Sequence, residues 1–180
     1  MNRLLISAIA CLIANISFAQ NPTTKFFKSE VGYFSFDYPS YLESKKINNA
    51  PHMLLKLDSK KYSLTLALWV YDLDRSKTIW DEDIIANFLA ADKSIPNSQI
   101  EKSCKKMYLT ISNNTTVKCL KSITLAENSS QGNKFKVKQI TYRLLHKGNY
   151  LQFAFYVFDY NEYWDKLHFS DEIMKGLKLL

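Results

Sequence analysis

Three histidines come first, because an imidazole titrates near neutral pH and is the commonest metal ligand. His52, His146 and His168 form no H-x-x-x-H pair, and none has a cysteine at ligand spacing. Asp159 and Glu162 precede His168 closely enough to assemble a zinc or proton-transfer site, but a solvated surface histidine is the simpler reading of each. Asp72-Leu73-Asp74-Arg75 resembles the start of an oxygen-rich cation loop, yet lacks the glycine and distal glutamate of a calcium loop. Asp81-Glu82-Asp83 could be taken for catalytic carboxylates; acids in the first turn of a helix are accounted for by the helix dipole alone. No Gly-x-Ser-x-Gly, Ser-x-x-Lys or P-loop is present, and four glycines leave little for a phosphate cradle. The reading is of no catalytic residue, no metal and no cofactor.

Export is written into the first 19 residues. Arg3 supplies the positive start, Leu4 to Ile16 the apolar run, and Ser17-Phe18-Ala19 a small-x-small cleavage site, so residues 1–19 read as a signal peptide. The run is too short to span a bilayer. Cys11 raises a lipoprotein alternative, against which Ala8 stands where a large aliphatic residue is usual and Leu12-Ile13 continues the apolar run. A single domain over residues 20–180 then holds Cys104 and Cys119, an even count that in an exported chain reads as one disulfide. Closing so short a loop would stabilise by roughly 3 kcal/mol. A tight turn on Asn113-Asn114 would set Cys104 opposite Ile123, so the bridge requires a wider loop or a bulge at an irregular hairpin tip.

Binding chemistry is richer than reaction chemistry. Without Arg3 the chain carries 23 basic and 17 acidic residues, and only Arg75 and Arg143 among the former are arginine. Nucleic-acid sites favour the planar guanidinium fork, so the balance argues against nucleic acid and points to an acidic partner, an acidic protein or anionic lipid headgroups. Lys102, Lys105, Lys106, Lys118, Lys121, Lys134, Lys136 and Lys138 gather on neighbouring strands. They form either a solvated sheet edge that blocks self-pairing or a docking surface. Tyr160, Tyr163 and Trp164 crowd a strand–helix junction where not all three are easily buried, and such aromatics anchor interfaces.

The elements that must position these residues centre on a hairpin from Lys134 to Tyr160. Its second arm is apolar at both parities, with Leu151, Phe153, Phe155 and Val157 on one face and Tyr150, Ala154, Tyr156 and Phe158 on the other. Such a strand belongs in the middle of a sheet covered on both sides. The turn is His146-Lys147-Gly148-Asn149. Upstream, residues 26–30 and 33–42 read as strands, the second ended by Pro39, and residues 52–58 and 61–73 as a hairpin. Trp80, Ile84, Phe88 and Ala91 fall at helical spacing, predicting a helix over 78–95 ended by Pro96. Gln99 to Ile111 and Thr115 to Ala126 predict two strands joined across Ser112-Asn113-Asn114, Asn128 to Asn133 a loop, and 161–178 a closing helix. The summed expectation is the α+β class: an α/β/α sandwich with a central antiparallel sheet.

The opening Gly32-Tyr33-Phe34-Ser35-Phe36-Asp37-Tyr38-Pro39-Ser40-Tyr41 matches an aromatic-x-aliphatic-x-Tyr-Pro-x-x-aromatic pattern, with Phe36 at the aliphatic place. Together with the ending Phe169-x-x-x-Ile173-x-x-x-Leu177, it resembles the PsbP-like superfamily, which includes DcrB-like envelope proteins. That resemblance implies a fold and a habit of binding other proteins, and it carries over no functional residue. The cysteine pair and the Asn128–Asn133 stretch lie outside the common pattern. The expected function is an exported, periplasmic or secreted, non-enzymatic protein-binding module of the bacterial envelope, in the manner of an immunity or accessory protein. The alternative is a periplasmic lipid or small-ligand binding protein, which would require an apolar pocket of a few hundred cubic ångströms, roughly the size of ordinary ligand sites.

Overall fold

The computed structural model describes residues 23–30, 33–48, 52–59, 63–72, 99–130, 132–160 and 168–180. They form β1 (Thr24–Lys28), β2 (Phe34–Pro39), β3 (Glu43–Ser44), β4 (Met53–Ser59), β5 (Leu64–Asp72), β6 (Gln99–Ile111), β7 (Thr115–Ser130), β8 (Asn133–His146), β9 (Asn149–Phe158), a helix α1 (Phe169–Lys175) and β10 (Lys178–Leu179). The large sheet has the order β3-β4-β5-β9-β8-β7-β6 and the small one β1-β2-β10. Every pairing is antiparallel.

The doubly apolar strand takes the place its parity predicts: β9 is fourth of seven. Leu151, Phe153, Phe155 and Val157 are buried on one face, and Ala154 on the other is buried as well. The β8–β9 turn needs two successive residues in the left-handed region, which Lys147 (φ 50°) and Gly148 (φ 77°) supply. That backbone twist matches the twist of the flanking strands.

What covers the inner face of β9 is a second sheet. Along β2, Phe34, Phe36 and Tyr38 are buried at alternate positions. Phe153 receives the Phe34 and Phe36 rings edge-on, with centroids 5.7 and 6.1 Å away. Such edge-to-face pairs add about 0.5–1.5 kcal/mol to the burial itself. The C-terminal residues fasten both sheets: the Leu180 N–H donates to the Tyr33 carbonyl (2.9 Å), and the Ser112 N–H donates to the Leu177 carbonyl (3.0 Å).

The expected α/β/α sandwich is therefore corrected. Among the described residues the protein is mostly β, with two antiparallel sheets and one seven-residue helix. The layer expected to be helical is occupied by β1, β2 and β10, because the alternating aromatics of β2 point down onto β9. Of the expected closing helix over 161–178, residues 161–167 lie outside the described residues, and the described part is helical only over Phe169–Lys175. His168 has a left-handed backbone (φ 44°), which no helix passes through, and Lys178-Leu179 pair as a strand with Ser35 and Phe34. A helix this short does not hold itself; Ile173 and Met174 buried against the sheets hold it. The helix expected at 78–95 lies outside the described residues. The loop expected at Asn128–Asn133 also shortens, since β7 and β8 pair as far as Ser130 and Asn133.

The disulfide expectation is corrected too. Cys104 lies opposite Ser122 and Cys119 opposite Met107, so the two side chains leave opposite faces of the sheet. Both are thiols. The three-residue turn Ser112–Asn114 sets this register, with Asn113 and Asn114 at positive φ. Burial pushes the Cys119 thiol up to about 12, against the weaker lowering by the Arg143 backbone and the nearby cations. Iodoacetamide at neutral pH is expected to alkylate Cys104 well ahead of Cys119, which should react only on unfolding. Mass spectrometry of peptides from native and urea-treated protein checks this; equal labelling in the native state would contradict the buried position.

Candidate protein-binding edge

Strand parity divides the lysine cluster in two. On β6 and β7, Lys105 stands opposite Lys121 on the inner face, whereas Lys106 and Lys118 belong to the outer face. Lys121 is spoken for, with its Nζ 2.9 Å from Asp171 Oδ1. Lys134 pairs with Glu127 at 3.3 Å. Lys138 is nearly buried; its ammonium donates to the Tyr160 hydroxyl (3.3 Å) and sits 4.6 Å from that ring's centroid. Lys136 is exposed, and its carbonyl accepts the Tyr160 N–H at 2.8 Å. Lys102 is opposite Thr124 in the ladder. Of the expected aromatic anchors, Tyr160 instead caps Lys138, and Tyr163 and Trp164 lie outside the described residues.

Among the described residues, what remains open is the β6 edge. Tyr108 is 69% exposed, the most exposed of the large hydrophobic residues described. Lys118 is directly across the ladder from it, and Lys106 is two residues earlier on the same face. Lys106, Met107, Tyr108 and Lys118 line a surface hollow of about 250 Å³. Neither Lys105 nor Lys118 has a carboxylate partner among the described residues. An exposed ring between ammonium groups offers a flat apolar contact ringed by charge, the composition of an interface anchor. Sequence reading passed over Tyr108, although the signal was there: it shares the parity of Lys106 and Thr110, so it is an aromatic on the polar side of a strand.

A second recess lies between the large sheet and α1, lined by Lys121, Ile123, Ile140, Phe155, His168 and Asp171 among others. Its volume is about 130 Å³. Ordinary ligand sites run to roughly 300–1,000 Å³. Three polar groups of its wall, Lys121, Ser170 and Asp171, are joined through each other or through Tyr142. The buried Tyr142 hydroxyl donates to Asp171 Oδ1 and lies 3.2 Å from Ser170 Oγ, while Lys121 lies 4.8 Å over the Tyr142 ring. Burial and then the Asp171 hydrogen bond push the Tyr142 hydroxyl far above the usual phenol range, so it stays a neutral donor. Burial raises Asp171, but the hydrogen bonds from Tyr142 and Lys121 and the charges of Lys121 and His168 outweigh it, and the carboxyl ends below its usual value. These groups fasten α1 to the sheet.

The sign of the pH effect follows. A carboxyl held below its unfolded value contributes stability above that value and loses it as pH falls through the folded pKa. Asp171→Asn is therefore expected to be less stable than the parent at pH 7 and to converge with it only at a pH well below about 4, under the lowered folded pKa. Urea midpoints at both pH values check this, and a constant gap would contradict it. Tyr142→Phe is expected to cost about 2 kcal/mol, since it removes a donor from a charged acceptor.

The remaining candidates do not assemble. His52 is exposed, and His146 Nε2 donates to the Leu180 carbonyl at 3.0 Å. His168 and Asp159 are both exposed, at the start of α1 and the end of β9. Glu162, Asp74, Arg75 and the acids 81–83 lie outside the described residues. Among the described residues no three His, Cys, Asp or Glu side chains group to hold a metal, and no helix is long and apolar enough to cross a membrane.

With this geometry in hand, the chain compares with solved structures as follows. It has a PsbP-like fold: cyanobacterial PsbP (CyanoP) from Synechocystis sp. PCC 6803 superposes with a TM-score of 0.59 at 11% identity, over 90% of this chain and 95% of that one. A protein from Bacteroides thetaiotaomicron VPI-5482 gives 0.54 at 11% identity, covering 87% of this chain and 48% of its own. The Saccharomyces cerevisiae Ran-binding protein Mog1p gives 0.50 at 8% identity, over 88% and 96% of the two chains. No protein-family model matches the sequence, and no curated protein does. At these identities the likeness is one of fold.

Proposed function

We propose that this chain is an exported, non-enzymatic module of the bacterial envelope that binds another protein through the β6 edge. The observation that carries the reading is Tyr108, 69% exposed beside Lys118 and Lys106 on a strand with no neighbour on its outer side among the described residues. Three further points support it. The recess beside α1 is smaller than an ordinary ligand site, and Lys121, Asp171 and Tyr142 in and beside its wall are bonded to one another, so it is a weaker binding candidate than the β6 edge. The formal net charge, +7 for the whole sequence and +6 without Arg3, favours an acidic surface as partner. Among solved structures of this fold is a Ran-binding protein, so the scaffold serves protein recognition elsewhere. Export rests on the leader-like residues 1–19.

The test is affinity capture from an envelope extract, with residues 20–180 as bait beside a Lys105→Glu/Lys106→Glu/Lys118→Glu variant. One stoichiometric protein retained by the parent and lost from the variant is the expected result. Equal retention by both baits would move the binding face elsewhere.

A further inference from the structure

We infer that the partner element is an acidic extended strand that adds to the open edge of β6, continuing the large sheet by one strand. This rests on the protein-binding reading above and specifies what is bound. β6 terminates the seven-stranded order and, at 13 residues, is long for an edge. Its far end is closed: Leu109 and Ile111 are buried, and the Ser112 N–H is taken by Leu177. The solvent-facing stretch therefore runs through Ser103 to Tyr108, where Ser103, Lys105, Lys106 and Tyr108 are exposed.

Main-chain hydrogen bonds would supply affinity for any extended segment, and the alternating side chains would supply selection. Lys106 and Tyr108 rise on one face, and Lys105 and Met107 on the other. Two adjacent charges are thus followed by two adjacent apolar groups, one of each per face. The complementary strand carries two consecutive acids beside Lys105 and Lys106 and two consecutive apolar residues beside Met107 and Tyr108. A second copy of this chain is the wrong occupant, because β6 against β6 brings lysines together. Lysines on an edge oppose that self-pairing, and the same charges select an acidic strand.

The probe is a fluorescein-labelled octapeptide, Ser-Thr-Glu-Glu-Val-Tyr-Thr-Ser, added to residues 20–180. The comparisons are the same peptide with Lys-Lys for Glu-Glu, the same peptide with proline for valine, and hexaglutamate. Anisotropy reads affinity, and amide hydrogen exchange reads the backbone. The expected result is saturable binding of the acidic peptide that weakens at least about tenfold with Lys105→Glu/Lys106→Glu. The proline and lysine peptides should bind much more weakly, and amides within 103–108 should gain protection at alternate positions. Hexaglutamate or the proline peptide binding as tightly, with no amide protection, would overturn strand addition and leave the protein-binding reading standing on side-chain docking. No binding of any acidic peptide would overturn the inference; joined to an empty envelope capture, it would remove the protein-binding reading as well. A chain that dimerises with protection of the β6 amides would also overturn it, since the edge would then be filled by its own copy.

Discussion

Phe153→Ala is expected to lower the free energy of unfolding by about 3–5 kcal/mol, the range for deleting a buried aromatic ring. Phe153 is 1% exposed, lies opposite Leu68 and Tyr142 in the large sheet, and receives Phe34 and Phe36 from the small one. It is the side chain through which the two sheets touch at the middle strand. Removing it leaves a cavity lined by Phe34 and Phe36 at the sheet–sheet seam. Single domains are stable by only about 5–15 kcal/mol, so a third or more of the total would go. Urea unfolding followed by tryptophan fluorescence measures it. Phe158→Ala is the internal comparison, since Phe158 is 39% exposed and should cost under about 1 kcal/mol. Equal effects at the two positions would contradict the two-sheet core.

Tyr108→Ala should behave in the opposite way. Its ring is 69% exposed, so stability is expected to change by no more than about 0.5 kcal/mol. Affinity for the captured protein is expected to fall by about 2 kcal/mol or more, the loss typical of a central aromatic anchor, or roughly thirtyfold. Tyr108→Phe should restore most of the affinity if the flat ring makes the contact. Titration of the captured protein with the three chains decides it; an unchanged affinity for Tyr108→Ala would remove the anchor from the account.

The legible parts of this fold were those with long periods. β9 is readable as a middle strand because ten residues show both parities, and β6 and β7 because their runs flank Ser112-Asn113-Asn114. The small sheet was legible in part: β2 was read from its alternating aromatics, and a strand was read at 26–30 where β1 runs from Thr24 to Lys28, since β1 is almost wholly exposed and shows no period. β10, two residues long, was missed because only its pairing with β2 reveals it. The closing helix was overextended at its C-terminal end because apolar spacing continues through Leu177, and the left-handed backbone at His168, which breaks it, leaves no trace in composition.

The site was half legible. The lysines were found as a cluster, but which of them act together depends on a turn: one residue more or less in the β6–β7 connection exchanges the faces of a whole strand. The same parity separates Cys104 from Cys119 and Lys105 from Lys106. The Tyr142–Asp171 bond spans 29 residues and joins a strand to a helix, and nothing local predicts it. Lys138 shows the same limit, since a lysine expected on the surface is instead 9% exposed beneath Tyr160.

Native mass spectrometry of the chain purified from the cells that make it tests the central claim most directly. The predicted result is a complex whose added mass is that of a protein subunit, present with the parent chain and absent with Lys105→Glu/Lys106→Glu/Lys118→Glu. Added mass in the range of a lipid or metabolite, unaffected by those substitutions, would contradict the account and place the function in a ligand site.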